Sequence, residues 1–265
     1  SATYDTLNHK PIPVVTVKGI KDKLVEGTDY TVAYYTKVGN TKTIINDPDT
    51  GIVNAGTYIC VVTAKDGTSY SGSREVEFEI SKAKVTDLTF TKSAGGLSGR
   101  IVYTYNGTEQ KPTDTTIVDQ FTANGKTYTD ASLIASTFTV TPGTGDFKNV
   151  VSGGENATIV FTVKDDSTNF TGSVSIVLTI NPLDLSTINA NAITITTSEA
   201  DLVFNNSPKT PDFSFTIGDD TYTKNSSKDL DVSYSNNTNA SNEAKITIKA
   251  KSGGNFTINT YTQKT

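Results

Sequence analysis

The chain has 265 residues, with 23 Lys and Arg against 28 Asp and Glu, a net charge of −5. That length exceeds one typical domain, and the faintly acidic balance excludes a basic surface of the kind that binds nucleic acid. Apolar residues make up 35% and charged residues 19%. Thr, Ser, Asn and Gly therefore fill the remainder, and disorder, which needs low hydrophobicity together with high net charge, is not expected.

Residues 4–13 give an aromatic, a polar turn and two prolines, Pro11 and Pro13, which suit an edge or a turn rather than a central strand. A strand is predicted over 14–18, ending in the turn Lys18-Gly19. Tyr30, Val32 and Tyr34 then recur at period 2, which puts them on one buried face of a strand. An insertion follows over 37–53. Its segment 46–51 (NDPDTG) carries turn chemistry, so a hairpin is expected, with 42–45 pairing with 52–54 or running on into the next strand. Strand 58–64 comes next, then the turn Lys65-Asp66-Gly67. In strand 75–80, Val76, Phe78 and Ile80 face one way and three glutamates face water.

Strand 85–91 follows with no long linker. Strand 101–105 meets Asn106-Gly107, a hairpin dipeptide, and Asn124-Gly125 turns again. Residues 129–135 suit one helical turn, since Ala and Leu favour helix. Strands are predicted at 138–141, 157–164, 173–180, 193–196, 213–217, 230–234, 244–250 and 257–262. Many short strands with regular turns indicate an all-β sandwich architecture. Cys60 is the sole cysteine, so no disulfide can form within the chain. It lies in a strand-like run and reads as a small buried hydrophobe.

Three signatures recur in the same order, at a period of roughly 85–100 residues. The first is an aromatic, a polar turn and a proline, at Tyr4 to Pro11, Tyr105 to Pro112 and Phe204 to Pro208. The second is 27–34 (GTDYTVAY), with decayed copies at 136–140 and 228–234. The third is 69–72 (SYSG), 169–172 (NFTG) and 255–257 (NFT). Three domains are therefore expected, at 1–82, 83–181 and 182–265. The first starts almost on its signature and is expected to lack its first strand. Short junctions favour an extended, stiff rod over beads on a string.

These motifs, together with Asn54-Ala55-Gly56-Thr57-Tyr58, resemble bacterial immunoglobulin-like surface repeats of large secreted or wall-attached proteins, of Gram-positive type. The resemblance covers essentially the whole chain and implies tandem immunoglobulin-like β-sandwiches, an extracellular or cell-surface location, and a role as stalk, spacer or adhesive module. The single Cys and the absence of Met and Trp fit such proteins. No apolar run reaches the roughly 18 residues of a membrane helix and no signal peptide opens the chain. The chain reads as a monomeric fragment of something longer.

Chemistry-bearing residues are sparse. Acid–base or nucleophilic catalysis would fall on His9, the one histidine, and no Gly-x-Ser-x-Gly elbow accompanies it. The expectation is no enzyme and no cofactor. The oxygen donors of Asp47 and Asp49 are the calcium candidates, without the full twelve-residue loop and its bidentate Glu; Asp165-Asp166 and Asp219-Asp220 are lesser clusters. Tyr35, on the opposite face from Tyr34, is the candidate for stacking on a glycan or a protein ligand. The leading function is a non-catalytic spacer; the alternative is an adhesin or carbohydrate-binding module.

Overall fold

A computed structural model describes residues 1–90, 99–258 and 261–265. Its strands in chain order are β1 (Ala2–Thr3), β2 (Tyr30–Val38), β3 (Thr41–Ile44), β4 (Gly56–Ala64), β5 (Ser73–Ser81), β6 (Ala83–Phe90), β7 (Arg100–Thr104), β8 (Val118–Ala123), β9 (Lys126–Tyr128) and β10 (Phe138–Gly145). They continue as β11 (Ala157–Val163), β12 (Phe170–Thr171), β13 (Ser173–Asn181), β14 (Thr194–Ile195), β15 (Phe213–Ile217), β16 (Asp220–Thr223), β17 (Leu230–Ser235), β18 (Lys245–Ala250) and β19 (Tyr261–Lys264). Two short helices, α1 (Pro48–Gly51) and α2 (Ala131–Thr137), and three 3-10 turns complete the described elements. The class is all-β, as the alternation of apolar and polar residues requires.

The strands form five sheets, ordered β1-β5-β4-β2-β3, β10-β11-β13-β7, β12-β6-β8-β9, β14-β15-β16 and β17-β18-β19. By internal contacts the chain divides into two compact units. One comprises Ser1–Leu88, Gln120–Thr139 and Thr162–Val174; the other comprises Thr89–Asp119, Val140–Phe161 and Ser175–Thr265.

In the first unit, Tyr34, Ile52, Tyr58, Cys60 and Ile80 form one buried cluster, with Tyr4 and Phe78 packed on it. Period 2 brings Tyr34 of β2 opposite Cys60 of β4, and Cys60 opposite Val76 of β5. The buried thiol has its pKa raised, chiefly by desolvation, which makes it an inert core group. The second unit buries Phe90 against Phe161 and fully encloses Ile101, Ile248 and Phe213.

Several sequence expectations change. Residues 14–18 form no strand: Leu24 N–H donates to Val15 O, but Ile12 and Val14 stand exposed. Pro11 and Pro13 remove donors and leave no ladder to extend. The insertion hairpin pairs β3 with β2, Tyr35 opposite Ile44, not with 52–54. Residues 48–51 wind into α1 because Pro48 presets φ at its first turn and Asp47 caps it. Val76 is 53% exposed, so only Ile80 of its strand is fully buried.

The two-residue β1 pairs parallel with β5 as β7 pairs parallel with β13, so it is the counterpart of β7 and not of the leading strand β6. Asn106-Gly107 turns without making a hairpin, since β7 pairs with β13 instead. Asn124-Gly125 does make one, joining β8 to β9 with φ of +48° and +72°, the sign a two-residue hairpin of this hand needs. The strand expected at 193–196 shrinks to β14. The strand expected at 257–262 includes 259–260, outside the described residues; its observed ladder runs over β19.

Candidate functional site

The recurrent aromatic, turn and proline signature folds the same way each time. Asp5, Asn106 and Asn205 each accept, through a side-chain oxygen, from the backbone N–H two residues on, at 2.8, 3.0 and 3.2 Å. The residue between has positive φ: Thr6 at +72°, Gly107 at +74°, Asn206 at +64°. Short polar side chains hold such turns by satisfying a local donor. Five residues beyond each aromatic, His9, Gln110 and Lys209 donate their N–H to Ile52 O, Phe147 O and Asn237 O, each at 2.8 Å. Two residues after those acceptors lie Asn54-Ala55, Asn149-Val150 and Asn239-Ala240.

At the first copy, the third signature closes on this frame. Asn169 Oδ1 accepts from Ala55 N–H at 2.9 Å, and Asn169 Nδ2 donates to Asn54 Oδ1 at 3.0 Å. Its carbonyl accepts from Ala83 N–H at 2.8 Å, and Phe170 pairs parallel with Ala83. The Phe170 ring meets Tyr4, Phe121 and Tyr128 edge to face, at centroid distances of 5.4, 5.0 and 5.0 Å. Phe121 and Tyr128 stack at 4.9 Å.

The second copy repeats the contacts atom for atom. Asn255 Oδ1 accepts from Val150 N–H at 2.9 Å, and its Nδ2 donates to Asn149 Oδ1 at 3.0 Å. The Asn255 carbonyl accepts from Leu183 N–H at 3.0 Å. Phe256 meets Tyr105, Phe215 and Tyr222 at 6.0, 6.4 and 4.9 Å. Phe215 and Tyr222 stack at 5.2 Å. An asparagine is suited to this role because its amide offers donor and acceptor at once, and so satisfies a backbone N–H and a side-chain carbonyl together. Each aromatic pair adds about 0.5–1.5 kcal/mol beyond its area.

The polar rims differ. At the second copy, Tyr105 OH donates to Asp220 Oδ2 at 2.5 Å and lies 2.6 Å from Tyr222 OH, while Lys148 Nζ pairs with Asp220 Oδ1 at 2.5 Å. Burial raises the Asp220 pKa, but Lys148 and Tyr105 outweigh it and hold the carboxyl below its ordinary value. Burial, with the Asp220 and Tyr222 hydrogen bonds, pushes the Tyr105 phenol well up. At the first copy Lys126 takes the place of Asp220 on the hairpin and reaches Asp5 O at 3.3 Å and Thr6 Oγ1. There the Tyr128 hydroxyl is buried without a hydrogen-bond partner among the described residues.

Of the sequence candidates, Asp220 sits on the rim of the second copy, held by Lys148 and Tyr105; Asp47, Asp49 and Tyr35 lie elsewhere. Asp47 is the cap of α1, accepting from Asp49 N–H at 3.1 Å and Thr50 Oγ1 at 2.7 Å. Asp49 pairs with Lys10 at 2.8 Å. Among the described residues no group of three or more His, Cys, Asp or Glu side chains is placed to hold a metal ion. Tyr35 is half-buried rather than on an open wet face, between Ile44 and the fully buried Ile59. The Lys37–Glu77 pair lies on the same side of the sheet, and long lysine stems cover apolar surface in this way. His9 Nε2 lies 2.9 Å from Asp5 Oδ1 and belongs to the turn. The roles of Asn169 and Asn255 were not assigned from sequence, although their motif was. Their signal was the recurrence of a polar residue before an aromatic, at a fixed place after each strand pair.

No family model matches the chain, and no curated protein and no solved structure gives a significant match.

Proposed function

We propose that this chain is a set of three tandem immunoglobulin-like β-sandwich repeats, at 1–82, 83–181 and 182–265, arranged as an extended rod. In this reading it is a non-catalytic spacer of a bacterial cell-surface or secreted protein, holding other domains away from the cell. The observation that carries the proposal is the repetition of the asparagine and aromatic contact set at Asn169 and Asn255. A catalytic or ligand site has no reason to occur twice with the same backbone donors. A joint between successive repeats does, because every junction meets the same steric problem. Both contact sets bury their central phenylalanine, Phe170 and Phe256, which suits a fixed joint rather than a flexible linker.

Small-angle scattering on the purified chain tests the shape. A radius of gyration well above the roughly 18 Å of a globular chain of this length is expected; a value near it sinks the rod. A screen against glycans and matrix proteins, with and without calcium, tests the role. Silence is expected. Reproducible binding lost in Tyr35→Ala or on deleting 47–50 would replace the spacer by an adhesive module.

A further inference from the structure

The third copy of the frame keeps its turn and its tyrosine–proline contact, but a 3-10 turn (Glu199–Leu202) stands where β1 and β7 precede the others, and it is uncovered. Tyr234 OH donates to Pro211 O at 2.8 Å, as Tyr34 OH donates to Pro11 O. Lys209 N–H fixes Asn237 O, which sets Asn239-Ala240 where Asn54-Ala55 and Asn149-Val150 stand. Phe204 holds the place of Tyr4 and Tyr105. Yet Phe204 is 53% exposed, against 1% for Tyr105. Asn239 and Ala240 are exposed, whereas Ala55, Asn149 and Val150 are partly covered. Beside them lies a cleft of about 320 Å³, lined by Leu202, Phe204, Tyr234, Asn239, Ala240 and Ile246. Ala240 N–H has no acceptor among the described residues.

We propose that this cleft is a docking site for a further β-sheet repeat of the same kind, one that presents Asn-Phe-Thr. Its asparagine accepts from Ala240 N–H and donates to Asn239 Oδ1, and its phenylalanine packs on Phe204. The two covered frames of this chain identify the occupant, because the same element covers both. The inference rests on these contacts and not on a cell-surface role.

The test extends the full chain with a copy of its own residues 78–181, joined after Thr265. Lys264 pairs with Ile246 as Val76 pairs with Cys60, so the added segment continues the strand in register. The readout is amide exchange at Ala240, followed by NMR, with Ala55 and Val150 as internal references. Protection of Ala240 is expected to rise at least tenfold, and Asn169→Ala in the added copy to abolish the gain while the added Ile159 amide stays protected. A folded extension with unchanged exchange at Ala240 overturns the proposal. So does a gain that survives Asn169→Ala.

If the extension does not fold, a peptide of residues 166–174 is titrated into the unextended chain. Shifts centred on Phe204 and Ala240, absent with the Asn169→Ala peptide, support the site; no such shifts overturn it. Concentration-dependent protection of Ala240 in the unextended chain assigns the cleft to a second copy, and overturns the occupant proposed here.

Discussion

Asn255 shows how much one amide can organise. It is 5% exposed, and it meets Val150 N–H, Asn149 Oδ1 and, at 3.3 Å, Tyr222 OH. Removing it strands a backbone donor and a carbonyl in a closed aromatic cluster, which costs about 1–3 kcal/mol. Asn255→Ala should therefore lower stability by about 2 kcal/mol in urea unfolding. The two buried tyrosine hydroxyls should respond oppositely. Tyr222→Phe breaks a bonded pair and should cost about 1 kcal/mol, whereas Tyr128→Phe removes a hydroxyl with no partner and should be neutral or stabilising. Equal losses in the two variants would refute the difference in their rims. Asp220 sets an acid limit. Its folded pKa lies below the ordinary 3.8, so its contribution is present above that value and is lost as pH falls through the folded pKa. Asp220→Asn should flatten the acid side of the stability profile; an unchanged acid midpoint would show the pair to be idle.

Among the elements, the turns are more constrained than the strands. Gly107 has φ of +74°, and a Cβ there would lie 1.7 Å from the Ile217 carbonyl oxygen. Thr6 holds the matching place in the first copy, beside the hairpin of β8 and β9 rather than that of β15 and β16. Gly107→Ala must displace the backbone of β15 and should cost more than 2 kcal/mol, beyond the usual strain of a left-handed residue. Thermal unfolding checks this, and a shift under 2 °C would mean that the two turns do not touch in solution. The lysine that closes each second signature is a smaller device. Lys65, Lys164 and Lys251 each return their Nζ to a backbone carbonyl, of Gly27, Ala135 and Ser227, at 2.6, 2.8 and 3.0 Å.

At the scale of the whole molecule, each asparagine contact set lies within one compact unit. Their effects should be separable, since sites without shared partners behave additively. Asn255→Ala should speed amide exchange at Val150 and Leu183 and leave Ala55 and Ala83 unchanged; Asn169→Ala should do the reverse. Exchange that rises in both places after either change would show that the two sets melt as one.

The sequence by itself determined the all-β class, the order of the signatures and most of the buried alternation. Tyr30 and Tyr34 were legible as buried because period-2 spacing and burial on one sheet face are local facts. It also located the motif around Asn169 and Asn255, without its purpose. The tertiary structure decided what lay beyond local pattern. Val14 to Lys18 has strand composition, but no neighbour offers it a ladder. Tyr35 was expected on an open face, yet Ile44 arrives beside it on β3 and the Lys37–Glu77 pair lies on the same side of the sheet. Asp47 and Asp49 cluster in sequence as calcium ligands would, but one caps a helix and the other pairs with a lysine 39 residues away. Above all, the partners of Asn169 lie 114 and 115 residues back along the chain. A hydrogen bond over that separation leaves no periodic trace, because its two ends are brought together only by the folding of everything between them.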